Sequence, residues 1–134
     1  MNKEYKIRHE LANNKWEEMK NSQLISERYP NVLEISVDLK LDYPDAFSDI
    51  KKHLTPKYIP TDKAYFAVDC PNRECIYSDL ALSDEVRHTV QQNLDFYGGY
   101  KICKGYNDFG CSERRCGTCL TRLDYEIRIK YKTV

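Results

Sequence analysis

The sequence predicts an α+β protein: an antiparallel sheet of about four strands with helices on one face, in the order α-β-β-α-β-β, stapled by a four-cysteine metal site. Three observations carry that expectation. Residues 33–41 and 122–131 each alternate apolar and polar side chains, the mark of a strand with one buried face. Between them, Val86, Val90 and Leu94 recur at the four-residue spacing of a helix. Six cysteines gather in two places, at 70–75 and 103–119.

At 134 residues the chain fits one domain, 1–134, with an N-terminal helical segment over 1–29 and the sheet, helix and cysteine-rich hairpin over 32–134. A chain of this size can bury roughly two thirds of the surface its unfolded form exposes. With 41% hydrophobic and 31% charged residues, it lies outside the composition of disordered chains. The formal net charge is zero but unevenly spread: +1 over residues 1–28, −5 over 29–99 and +4 over 100–134.

The first element, residues 3–28, reads as helical because Ile7, Leu11, Trp16 and Met19 fall near three- and four-residue spacing. Asn13-Asn14 marks its weakest point, and Pro30 ends it. The first strand follows, with Leu33, Ile35, Val37, Leu39 and Leu41 on its buried face. Residues 42–62 carry Pro44, Pro56 and Pro60, and the stretch Phe47 to Leu54 reads as a turn of helix inside a long connection. The second strand is "KAYFAVDC", with Ala64, Phe66, Val68 and Cys70 on one face. A helix is then expected with Ser83 as its N-cap and Asp84 and Glu85 in its first turn, where acidic side chains favour the dipole. Gly98-Gly99 is expected to stop it. The last third reads as a β-hairpin, one arm over 100–106 and the other over 119–131, with a polar tip from Asn107 to Thr118.

The cysteines carry the chemistry. A tetrahedral zinc site needs four thiolates about 2.3 Å from the metal, commonly delivered as two close pairs. Cys70 ends a strand, Pro71-Asn72 favours a turn and Cys75 returns, which makes the first pair. For the second, Cys116-Gly-Thr-Cys119 offers a knuckle, whereas Cys103 and Cys119 stand on opposite arms of the hairpin. The second arrangement is preferred because Cys119 is in phase with Leu123 and Tyr125, as Cys70 is with Phe66 and Val68. Against it, Cys103 is out of phase with Ile102, which an apolar reading would turn inward. The predicted ligands of a structural Zn²⁺ are thus Cys70, Cys75, Cys103 and Cys119, with Cys116 as substitute for Cys103.

Catalysis finds no constellation. None of His9, His53 and His88 adjoins a cysteine, and the five glycines form neither a phosphate loop nor a dinucleotide fingerprint. An all-cysteine site is closed, hence structural. The chain therefore reads as a small soluble non-enzymatic module that binds a protein, itself or, less favoured, a nucleic acid. Its candidate partner surface comprises Lys101, Lys104, Tyr106, Arg114, Arg115, Arg122 and Arg128, basic side chains with aromatics between them. The alternative is a thiol-based redox protein or sensor using Cys111 and Cys116, whose thiols would be activated by Arg114 and Arg115. A polar N-terminus and the lack of any run of about 18 apolar residues argue against a signal peptide and a membrane span, and so for a reducing, cytoplasmic setting.

Overall fold

A computed structural model describes residues 3–43, 50–71, 80–103 and 121–132. The elements are α1 (Lys3–Asn21), α2 (Ile25–Arg28), β1 (Val32–Tyr43), β2 (Ile50–Leu54), β3 (Lys57–Tyr58), α3 (Ser83–Gln91), β4 (Phe96–Ile102) and β5 (Arg122–Tyr131). They form an antiparallel five-stranded sheet in the order β2-β1-β5-β4, with β3 also pairing β1. The α+β class and antiparallel sheet are those expected from the sequence. Among the described residues, no helix is long and apolar enough to cross a membrane.

The core is the inner face of β1 and β5. Ile35, Val37, Leu39 and Leu41 lie against Leu123, Tyr125, Ile127 and Ile129 of the neighbouring strand, all buried. Polar residues occupy the intervening positions, so the period-two pattern did specify the faces. Leu33 departs from it. A register shift between Val32 and Glu34 turns Val32 into the core and leaves Leu33 49% exposed.

Four further expectations are corrected. Residues 50–54 are strand, not helix: β2 folds back on β1 with Leu39 opposite Leu54 and Tyr43 opposite Ile50. The stretch "KAYFAVDC" keeps its predicted alternation, with Ala64, Phe66 and Val68 buried, but joins no ladder among the described residues. β1 is already flanked by β5 on one side and by β2 and β3 on the other. The stretch instead packs extended into the core, held by Ala64 N–H donating to the Gln23 carbonyl and Leu82 N–H to the Phe66 carbonyl.

The break in the N-terminal helical segment falls at 22–24, not at Asn13-Asn14. Backbone pairing with residues 63 and 64 takes over there, and Lys63 Nζ donates to the carbonyls of Lys20 and Ser22 at the end of α1. Lastly, α3 stops at Gln91 rather than at Gly98-Gly99. Asn93 takes φ +54°, Leu94 N–H reaches the Thr89 carbonyl and Asn93 N–H that of Val90. This is a Schellman ending built on asparagine. Val86 and Thr89 are its buried residues, and Leu94 turns outward to 37% exposure.

The two glycines stand instead in the middle of β4, opposite Glu126 and Tyr125. A Cβ on Gly99 would lie 2.9 Å from the Tyr125 hydroxyl and 3.2 Å from its ring. The tyrosine ring thus occupies the space that a side chain at 99 would need. α3 covers this side of the hairpin, tied by Lys101 Nζ, which donates to Glu85 Oε1 at 2.9 Å and to the Ala81 carbonyl at 2.8 Å.

Candidate functional site

Three pieces of chain meet at Thr121, a fully buried residue just before β5. Cys70 Sγ lies 3.3 Å from Thr121 Oγ1, and Cys103 N–H donates to the Thr121 carbonyl at 2.8 Å. Cys70 arrives at the end of the extended stretch through Phe66 and Val68. Cys103 follows β4 directly and is completely buried, while Ile102 beside it is 36% exposed. The phase of β4 is therefore the opposite of what the apolar Ile102 implied, and the sequence objection to Cys103 as an inward residue falls away. The hairpin register pairs Ile102 with Arg122, which sets Cys103 across from Thr121, two residues from Cys119.

Of the predicted metal ligands, the structure thus brings Cys70 and Cys103 to one residue. Cys75, Cys116 and Cys119 lie outside the described residues, as does Cys111. Among the described residues, no group of three or more histidine, cysteine, aspartate or glutamate side chains is placed to hold a metal ion. Thr121 was not singled out from the sequence. Its signal was its parity with Cys119 and Leu123, which places it on the inner face at the end of the strand.

The candidate partner residues divide between the two faces of the sheet. Lys101 points inward to Glu85, whereas Arg122 and Arg128 project from the outer face. Lys104, Tyr106, Arg114 and Arg115 lie outside the described residues. On the outer face, Arg122 stacks on Tyr100 at 4.4 Å and Arg128 on Phe96 at 4.9 Å. Each arginine is also matched by an acid on its own strand: Arg122 Nη2 is 3.0 Å from Asp124, and Arg128 Nη2 is 3.6 Å from Glu126. The Asp124 carboxylate, by hydrogen bonding and charge, holds the Arg122 guanidinium above its ordinary range. Lys130 and Lys57 share Glu34, and His53 meets Asp38 at 3.0 Å. Between the two stacks, a shallow groove of about 370 Å³ runs over Gly98, lined in part by Asp38, Asp124 and Glu126. This is a mixed-charge surface with stacked aromatics rather than a cationic track.

The histidines are scattered. His88 packs edge-on against Tyr97 at 5.1 Å, and His53 engages Asp38 on the outer face. Comparison with protein-family models, with curated proteins and with solved structures returned no match.

Proposed function

We propose that this chain is a small non-enzymatic interaction domain whose fold is stapled by one structural Zn²⁺, held by Cys70, Cys75, Cys103 and Cys119, with Cys116 as the alternative to Cys103. The observation that carries the reading is the convergence of Cys70 and Cys103 on Thr121. Sequence distance supplies the other half. Cys75 is five residues from Cys70, and Cys119 is two from Thr121, a separation that extended chain covers in about 7 Å at most.

The chemistry at Thr121 fits a thiolate. A hydroxyl that accepts from a Cys70 thiol can rotate to donate to a Cys70 thiolate, so ionisation on metal binding keeps the hydrogen bond. Four thiolates leave no open coordination position, and the metal's role is then to join the extended stretch to the hairpin, so that its binding energy becomes folding energy. The outer face, where Arg122, Arg128, Lys57 and Lys130 each stand beside a carboxylate, suits a protein partner better than a polyanion. A reducing compartment such as the cytoplasm would keep the thiols available.

Elemental analysis of protein purified without added zinc tests this. The expected result is about one zinc per chain, in keeping with a single four-thiolate site. Cys70→Ser abolishes it, and of Cys103→Ser and Cys116→Ser only the ligand change does so. Metal-free protein that remains folded would overturn the reading in favour of free or redox-active thiols.

A further inference from the structure

The sheet has two edges, and they differ in kind. β2 carries Lys51 and Lys52, charged side chains of the kind that commonly keep an edge from pairing with another chain. β4 has no such protection. Its sequence, Phe-Tyr-Gly-Gly-Tyr-Lys-Ile, contains no proline and a single charge, Lys101, which is engaged by Glu85. Phe96, Tyr100 and Ile102 stand 44%, 60% and 36% exposed, on the outer face, with Leu94 continuing the row.

The backbone of β4 can be assigned residue by residue. Cys103 N–H donates to Thr121 and the Asp95 carbonyl accepts from Ile129 N–H, so odd-numbered residues direct their backbone groups to β5. Antiparallel pairing alternates, and residues 96, 98, 100 and 102 therefore aim their N–H and C=O groups at the open edge. Among the described residues no strand lies beyond it. Another extended backbone can match the whole row at once.

We propose that this edge pairs with the same edge of a second copy of the chain, antiparallel about Gly99, to form one continuous sheet across a two-fold axis. The register is self-complementary. Phe96 faces the partner's Ile102, and Tyr100 faces the partner's Gly98, an aromatic ring over a residue with no side chain. On the inner face, Lys101 meets the partner's Tyr97, and no like charges oppose. Each such pair exchanges two hydrogen bonds, giving about eight across the axis. The other edge cannot do this, because β2 against itself would bring lysines together.

The inference supplies a partner for the interaction role proposed above and rests on that role, but not on the zinc. The test is sedimentation of the full chain in reductant, with zinc content measured on the same samples. A dimer is expected for the native sequence. In Phe96→Lys/Ile102→Lys, like charges oppose at both symmetry-related positions, and association weakens about tenfold or more. Phe96→Lys/Ile102→Glu carries the same truncations but opposes unlike charges, and the dimer is retained. A native chain that stays monomeric, or a double-lysine variant that dimerises as tightly as the native chain with circular dichroism unchanged, overturns the proposal. Zinc-loaded monomer defeats the dimer alone, and metal-free dimer defeats the zinc reading alone.

Discussion

At the level of single residues, Gly99 leaves no room for a side chain beside Tyr125, whose hydroxyl would lie 2.9 Å from an added Cβ. The Tyr125 ring is 7% exposed and packed beside Tyr97, so it cannot swing away from an added methyl. Gly99→Ala is expected to destabilise the fold by about 1–3 kcal/mol, the usual cost of overpacking, measured by chemical denaturation. Gly98→Ala, whose Cβ would meet its nearest atom at 3.3 Å, should cost less. The same burial, reinforced by the negative charge of Glu85 and by Tyr97, pushes the Tyr125 hydroxyl up to about 12. A phenol held neutral in the fold stabilises it below its ordinary pKa of 10 and loses that contribution as pH rises through 12. Stability should therefore fall between pH 10 and 12, and Tyr125→Phe should lessen the fall. Tyr58, Tyr65 and Tyr131, also raised chiefly by burial, act in the same direction. An alkaline denaturation series on both proteins measures the difference.

At the level of elements, α3 ends on a left-handed asparagine, and the energetics of that ending can be read directly. Asn93→Gly should be neutral or slightly stabilising, whereas Asn93→Ala should cost about 1 kcal/mol, because alanine keeps the Cβ that resists positive φ and lacks the short polar side chain by which asparagine tolerates it. Thermal melts of the two variants give the comparison. The elements also show which parts of the fold were legible. β1 and β5 followed from periodicity, since burial of one face dominates there, whereas the expected Ser83 cap is corrected: Leu82 holds the N-cap position without a side-chain bond and Ser83 is the first helical residue. The end of α3 was not legible, because Asn93 performs a task for which Gly98-Gly99 looked better suited; the glycines instead make room for a tyrosine that is remote in sequence. "KAYFAVDC" has the side-chain period of a strand, but strand membership also needs backbone pairing with a neighbouring strand, which side-chain alternation does not report. Cys103 was half legible: its place beside the hairpin was clear, its inward phase was hidden by the apolar Ile102.

At the level of the whole molecule, the sheet presents one face to α3 and the extended stretch, and among the described residues no element covers the other. The buried side ends at Thr121, where Cys70 and Cys103 arrive from separate parts of the chain. Among the described residues, β4 forms an uncovered edge of the sheet. A staple at Thr121 would hold the strand ends that frame this edge. Removing the metal should then loosen the junction of the extended stretch with the hairpin before it affects the pairing of β1 with β5, which rests on apolar contact. Thermal unfolding of the purified, reduced chain with and without a strong zinc chelator tests the proposed staple. About one zinc per chain is expected to be released together with a large drop in the melting temperature, reversed by added zinc. An unchanged melting temperature in protein that carries no zinc would contradict it.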